Sequence, residues 1–233
     1  MDNKGNTPLS GWTREDEAGH AQGVAERKSS DERRDEILRA TIRIVARKGF
    51  ASLTLRDVAA EIGVVHGLIR HYFSSREELV AEAFDYAVAA ELAADREALA
   101  GLDPLEQLAG WFVSTPQEHY LVWIDAWSEA PRNPALAAAL ARHHADCEAL
   151  LAGIIGRAVS AGLAQSNDPV ADARTLTALA DGVAVQQHAM GILDAAVADE
   201  IVFSAAESRL ALLPGALAAV TSVPARGLWS GAR

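Results

Sequence analysis

Four times in this 233-residue chain a helix-capping side chain stands immediately before a proline: Asp103-Pro104, Thr115-Pro116, Asn133-Pro134 and Asp168-Pro169. Asp, Thr and Asn at that place accept hydrogen bonds from the first helical turn. Proline tolerates the first helical position because its φ is already helical and the N–H it lacks would have no helical partner. A chain punctuated in this way is committed to helices through its second half, roughly over 104–114, 116–130, 134–161, 169–193 and 196–212. Composition agrees, since 48 residues are alanine and only 6% are aromatic, a bias toward helix and away from sheet. The predicted fold class is all-α.

The first half carries its own signals. Ser29 with Glu32 three residues on makes a capping box, and Ile37, Leu38, Thr41, Ile42, Val45 and Ala46 follow at helical spacing until Gly49. Thr54 with Asp57 opens a short second helix bearing Leu55, Val58, Ala59 and Ile62, which Gly63 stops. A third short helix is predicted over about 65–71, and Ser75 with Glu78 forms a capping box for a fourth that extends to Leu99. Residues 1–28 show no apolar period and read as a disordered or weakly ordered tail, and 214–233, with Pro214, Gly215, Pro224 and Gly227, as an irregular one.

The net charge of −11 is unevenly spread. Residues 1–80 hold 13 basic and 13 acidic side chains and residues 81–233 hold 8 and 19, so the whole excess lies downstream. Between Arg33 and Arg76 the balance reverses to 9 basic against 4 acidic. Charge by itself reads most simply as a solvated face. The single cysteine, Cys147, has no disulfide partner, no secretory signal is evident, and Pro214 breaks the C-terminal apolar run short of a membrane span. The expectation is a cytoplasmic protein with no membrane partner.

Residues 54–73 describe two short helices meeting at a sharp turn. Ala59 is small where the helices must approach, Gly63 suits a positive φ in the turn, and Val58, Ile62, Val64, Ile69 and Tyr72 share a face that can pack on the first helix. Such a helix-turn-helix can lay its second helix in a DNA major groove with its N-terminal residues at base edges.

The stretch from Thr54 to Leu79, ending His71-Tyr72-Phe73-Ser74-Ser75-Arg76-Glu77-Glu78-Leu79, resembles the DNA-binding signature of the TetR family of transcriptional regulators, over about residues 30–80. Gly67-Leu68-Ile69-Arg70-His71-Tyr72-Phe73 and the shorter Leu179-Ala180-Asp181-Gly182-Val183 are similar to its BetI-like branch. The resemblance implies that Thr54, Arg56, Tyr72 and Arg76 hold the phosphate backbone. On the third helix, Val65, His66, Gly67, Leu68, Arg70 and His71 become candidates for the groove. Arg70 or His66 is suited to a purine edge and Leu68 to a thymine methyl, although Leu68 and His71 suit packing equally. One residue departs from the pattern: the family often opens this helix with Ser or Thr, and here Val65 cannot cap. The family reading divides the chain into a DNA-binding domain at 29–80 and a helical effector-binding and dimerisation domain at 81–213. It implies a ligand-responsive repressor, not an enzyme, that binds a palindromic operator as a homodimer and needs no cofactor or metal.

Downstream, Trp111, Phe112, His119, Tyr120, Trp123, Asp125 and Trp127 cluster within 17 residues. The pattern fits an ordinary aromatic core; with the resemblance it also fits an effector pocket completed by Gln187 and His188 with Met190 nearby, where aromatic rings and a carboxylate could cage a quaternary ammonium. Leu176, Ala180, Val183, Ala184 and Gln187, with Ile201, Ala205 and Leu212, are candidates for a two-fold helical interface, or for burial within one chain. The alternative function is a helical enzyme or interaction protein with a metal site at His143 and Cys147, four residues apart.

Overall fold

The computed structural model describes residues 28–113 and 117–220, and within the second range the side chains from residue 120 onward. Every regular element among the described residues is helical. In chain order they are α1 (Ser30–Lys48), α2 (Leu55–Glu61), α3 (His66–Tyr72), α4 (Arg76–Leu99), α5 (Pro104–Phe112), α6 (Gln117–Glu129), α7 (Pro134–Ser160), α8 (Pro169–Ala184), α9 (Ala195–Arg209) and α10 (Ala216–Ala219). A 3-10 turn, Ala130–Arg132, links α6 to α7, and a π-helical turn, Val185–Ala189, extends α8.

Most helix starts follow the capping logic. Ser29 Oγ accepts from Glu32 N at 3.1 Å while the Glu32 carboxylate accepts from Ser29 N at 2.7 Å, and the Thr54–Asp57 and Asp103–Glu106 pairs close the same reciprocal box. Asn133 and Asp168 cap α7 and α8 as their place before proline requires. The Thr115-Pro116 signal lies outside the described residues. The predicted box at Ser75 forms only half: Ser75 Oγ accepts from Glu78 N at 3.0 Å, but the Glu78 carboxylate turns to the Ser74 amide at 2.6 Å and the Ser74 hydroxyl at 2.5 Å. Two adjacent serines compete for one carboxylate, and the earlier one offers two donors.

Two further readings are revised. The helix predicted over 169–193 stays α-helical only to Ala184, after which Met190 N reaches back five residues to Val185 O at 3.1 Å, and Gly191 at φ 62° ends the element. The segment after Pro214 contains α10, because the buried Glu207 carboxylate on α9 accepts from the Gly215 and Leu217 amides at 2.8 and 2.9 Å and Leu217 is fully buried. That cap comes from eight and ten residues away in the chain, beyond the reach of a local pattern.

The hydrophobic interior has two centres. The first joins α1–α3 and the front of α4, through Ile37, Phe50, Val58, Ile69, Phe73 and Phe84, to Trp123 and Ala126 of α6 and Leu136 and Leu140 of α7. The second joins α5 and the back of α7 to α8, α9 and α10, through Leu108, Leu151, Ile155, Leu176, Phe203 and Leu217. Helix α7 runs through both and ties them together.

Candidate nucleic-acid interface and ligand cavity

The turn between α2 and α3 is built by backbone. Gly63 takes φ 68°, which a side chain would strain, and this lets Gly63 N reach Ala60 O at 3.3 Å and Val64 N reach Ala59 O at 2.9 Å. Those two bonds are the Schellman closure that satisfies the last carbonyls of a helix. Val58 and Ile69 are fully buried, Ala59 nearly so, and Ile62, Val64 and Tyr72 pack partly buried against them, so the inner face matches the sequence pattern.

The outer face of α3 presents Val65, Gly67, Arg70 and His71, with His66 and Leu68 half-buried beside them. Val65 N-caps the helix without a side-chain hydrogen bond and is 76% exposed, far above the usual state of a β-branched apolar residue. Tyr72 is half-buried with its ring edge-on to His71 at 5.3 Å, and its carbonyl accepts from Arg34 at 3.3 Å. Thr54 is exposed but already engaged, its hydroxyl donating to Asp57 at 2.6 Å.

Ion pairing thins the basic charge of this region. Arg43 and Arg47 both contact Glu61, at 3.2 and 2.7 Å, and Lys48 contacts Asp57 at 2.7 Å. Arg33 pairs with Glu36, Arg39 with Asp35, and Arg34 with Glu82 while lying over the Phe73 ring. The hydrogen bond from Lys48, then that from the Thr54 side chain, hold the Asp57 carboxyl down to about 2. Glu61 is lowered chiefly by Arg47 and next by Arg43. Among the described residues Arg56 and Arg70, both exposed, have no ion pair.

Arg76 departs from its predicted role. Instead of pointing outward to phosphate, its Nε donates to Leu53 O at 2.9 Å, one terminal nitrogen donates to Glu129 at 2.8 Å, and the other donates to Phe50 O. The Phe50 N–H in turn donates to Asp125 of α6. Asp125 therefore holds the α1–α2 connection and is absent from the cavity it was expected to line. Gly49 is required beside it, since it takes φ 77° and a Cβ there would come within 3.0 Å of Asp125 Oδ2. Asn133 adds a bond to Glu77 O at 3.1 Å. Helix α6 is thereby fastened to the helix-turn-helix at both faces of one residue, Phe50.

The other side of α6 forms the wall of a cavity with about 100 Å³ of space reachable by the centre of a water molecule, against roughly 10–15 Å³ that one water needs. Of the residues predicted for an effector pocket, Trp111, Phe112, Tyr120, Trp123, Trp127 and Gln187 line it. His188 stands behind this wall, stacked on Tyr120 at 4.8 Å and brought there by the π-helical turn. The side chain of His119 lies outside the described residues. The sequence reading missed the opposite walls: Glu91 and Asp95 of α4, His144 and Cys147 of α7, Thr177 and Asp181 of α8, and Asp199 of α9. Glu91 and Asp95 are 8% and 6% exposed, and a pair of carboxylates one turn apart in the otherwise apolar stretch from Val88 to Asp95 was the available signal. Four carboxylates and no lysine or arginine line the cavity among the described residues. His144 Nε2 lies 3.1 Å from Asp181, and its ring is 6.0 Å from that of Trp123 and 6.4 Å from that of Trp127.

Of the two readings of the α8 stripe, interface or burial within the chain, burial holds for its apolar members. Leu176, Val183 and Ala184 are buried in their own chain, and Ala180 and Gln187 line the cavity. The outward stripe of α8 is instead Val170, Arg174, Ala178 and Gly182, and that of α9 includes Val197, Glu200, Ser204 and Ser208, with Ile201 and Ala205 half-exposed beside it. The alternative metal site also fails to assemble. His143 Nε2 is 3.0 Å from Asp85 with its ring against Phe84, whereas Cys147 faces the cavity, and no group of three or more potential ligands occurs among the described residues. Nor is any described helix long and apolar enough to cross a membrane.

Comparison with known proteins matches both halves. The family model described as bacterial regulatory proteins, tetR family, matches residues 37–83, and the one described as the C-terminal part of BetI-type transcriptional repressors matches 103–211. Among curated proteins, the regulator BetI of Stenotrophomonas maltophilia is 27% identical over 113 residues, 45% of this chain and 58% of that protein. The repressor KstR2 of Mycolicibacterium smegmatis is 31% identical over 84 residues, 36% of this chain and 41% of that one. YerO of Bacillus subtilis is 33% identical over 81 residues, 34% of this chain and 28% of that one. The chain thus matches only part of the length of these relatives. Among solved structures, one described as a TetR-family regulator from Rhodococcus sp. aligns with TM-score 0.65 and 27% identity over 77% of this chain and 99% of that one. Another, described as a transcriptional regulator from Saccharomonospora viridis in complex with choline, aligns with TM-score 0.69 and 23% identity over 77% of this chain and 98% of that one.

Proposed function

Because this chain belongs to the TetR family of bacterial regulatory proteins, we propose that it is a ligand-responsive repressor that binds a palindromic operator as a homodimer and leaves it when a small cation enters the cavity. The observation that carries this reading is the double duty of α6. Tyr120, Trp123 and Trp127 face the cavity, while Asp125 and Glu129, on the same helix, hold Phe50 and Arg76 of the helix-turn-helix. A ligand that prefers one placement of α6 therefore changes the placement of the head, and DNA must weaken the ligand by the same factor as the ligand weakens DNA.

Within the head, Arg70, with His66 and Leu68, takes the base-reading role, and Arg56 and Thr54 the phosphate. The N-terminus of α4 can still offer amide N–H groups to phosphate although Arg76 itself points inward. Dimerisation through the outward stripes of α8 and α9 brings small side chains face to face, and the resulting two-fold axis sets two α3 helices against successive major grooves. A cation suits the cavity because carboxylates and three tryptophans line it; the choline complex of the structural relative supports the same ligand class for this one.

The test is fluorescence anisotropy with duplex DNA from beside the gene, over about 50 to 200 mM salt, with an unrelated duplex as control. A regulator prefers its own duplex, loses affinity steeply with salt and releases DNA when a cavity-binding cation is added. Equal binding to both duplexes at every salt concentration would sink the reading.

A further inference from the structure

His144 is the one cavity residue that can itself become a cation among the described lining, and it sits where a ligand's positive charge belongs. Its Nε2 is 3.1 Å from Asp181, and its ring lies edge-on to Trp123 at 6.0 Å and tilted to Trp127 at 6.4 Å. A carboxylate plus two indole rings is the environment a cationic ligand seeks, so the imidazolium and an incoming ammonium compete for one stabilising field. We propose that His144 is a specificity-determining residue of the cavity: it gives its proton to solvent when a cationic ligand docks and keeps it when a neutral ligand of the same shape does. This rests on the cavity being a small-molecule site as set out above.

The surroundings fix the sign. Asp181 on α8 raises the His144 pKa above its ordinary value by accepting its hydrogen bond, burial opposes this, and Glu148 on α7 adds a weaker attraction. Glu91 and Asp95 of α4 and Asp199 of α9 line the same cavity, with Tyr120 of α6 and Cys147 of α7 as the remaining titratable groups of its described lining. A second cation brought into this space repels the imidazolium and lowers its pKa again. Cation affinity therefore rises with pH below the pKa of the ligand-free protein, by at most about tenfold per pH unit, and then levels off once His144 is neutral.

The experiment is isothermal titration of the full-length protein with choline and with its uncharged carbon isostere, 3,3-dimethylbutan-1-ol, in buffers of different ionisation enthalpy at pH 6, 7 and 8. Proton release on choline binding that diminishes as pH rises, and is absent with the isostere, is the expected result. His144→Gln should bind choline with an affinity that no longer changes over this range, and Asp181→Asn, which removes the raising influence, should move the change to lower pH. Choline binding without proton release, or an unchanged pH slope in His144→Gln, overturns the role of His144 while leaving the cavity a cation site. No binding of choline or of tetramethylammonium at any pH overturns both.

Discussion

The helix-turn-helix and the cavity treat charge in opposite ways. The stretch from Arg33 to Arg76 carries a basic excess in sequence, yet most of its cations are spent on neighbouring acids, leaving Arg56 and Arg70 without ion pairs among the described residues. The cavity, in the part of the chain that looks merely acidic, concentrates four carboxylates around three tryptophans with no lysine or arginine among its described walls. A charge count therefore overstates the first region and understates the second. On the proposed reading, nucleic-acid affinity in the head rests on a few exposed cations, and ligand selection in the body rests on a cavity whose described lining carries acids but no lysine or arginine.

The two regions meet at Arg76, where a head cation neutralises a body carboxylate, and this is where the largest effect is expected. Arg76→Ala leaves the Glu129 side chain, 9% exposed, without its 2.8 Å partner and also frees two carbonyls, Phe50 O and Leu53 O. Breaking a buried pair from one side costs about 3–5 kcal/mol; with Arg76 itself about a quarter exposed, roughly 2–3 kcal/mol is the appropriate figure after discounting for solvent screening. Urea unfolding measures it. A loss below about 0.5 kcal/mol, the size typical of a surface substitution, would make Arg76 an outward-facing phosphate ligand after all.

Next in size is the contrast between two arginines of the head. Arg70→Ala should weaken operator binding by about 1–3 kcal/mol, and the loss should depend on the base it faces. Arg47→Ala should cost far less, because its charge is already held by Glu61. Anisotropy titrations of both variants against one operator decide the matter: equal losses would mean that the pairs seen on α1 and α2 open when DNA arrives.

Much of this architecture was legible because it is local. Capping pairs, the positive φ at Gly63 and the inward stripe of Val58, Ile62 and Ile69 are all written within a few residues of one another, and they alone define the helix-turn-helix. The aromatic wall was legible for the same reason, since Tyr120, Trp123 and Trp127 repeat at one helix face. Long-range partners defeated the reading. Asp125 looks like a cavity acid by its neighbours in sequence but points the other way to an amide 75 residues upstream. Arg76 resembles a phosphate ligand by its motif yet finds Glu129 53 residues later. The α8 stripe stayed open between a two-fold interface and burial within the chain because small and apolar residues surround the helix, and periodicity does not say which face meets its own chain.

In the cavity, Trp127→Leu should lower cation affinity by about 0.5–2 kcal/mol, the span of a cation–π contact as it becomes desolvated. Trp127 is the better choice than Trp123, which is buried in the first hydrophobic centre, so that unfolding does not obscure the ligand effect. Titration with choline and with its uncharged isostere separates the contributions: loss of both alike would point to shape, and loss of choline alone to charge over the ring. If Trp127→Leu left choline affinity unchanged, the acids rather than the indoles would carry selection.

The smallest effect is one of stability. Because Asp181 raises the His144 pKa in the folded protein above the 6.5 of an ordinary histidine, their ion pair stabilises the fold fully below about pH 6.5 and its contribution fades as pH climbs through the raised folded value. Both side chains are about a third exposed, so the pair contributes no more than about 1 kcal/mol, or roughly 2–4 °C in the melting temperature of a chain this size. The gap between the native protein and His144→Gln should therefore be widest near pH 6 and closed well into the alkaline range, by thermal unfolding in the absence of ligand. A gap that widened with rising pH would reverse the sign, meaning that burial and not Asp181 governs this histidine.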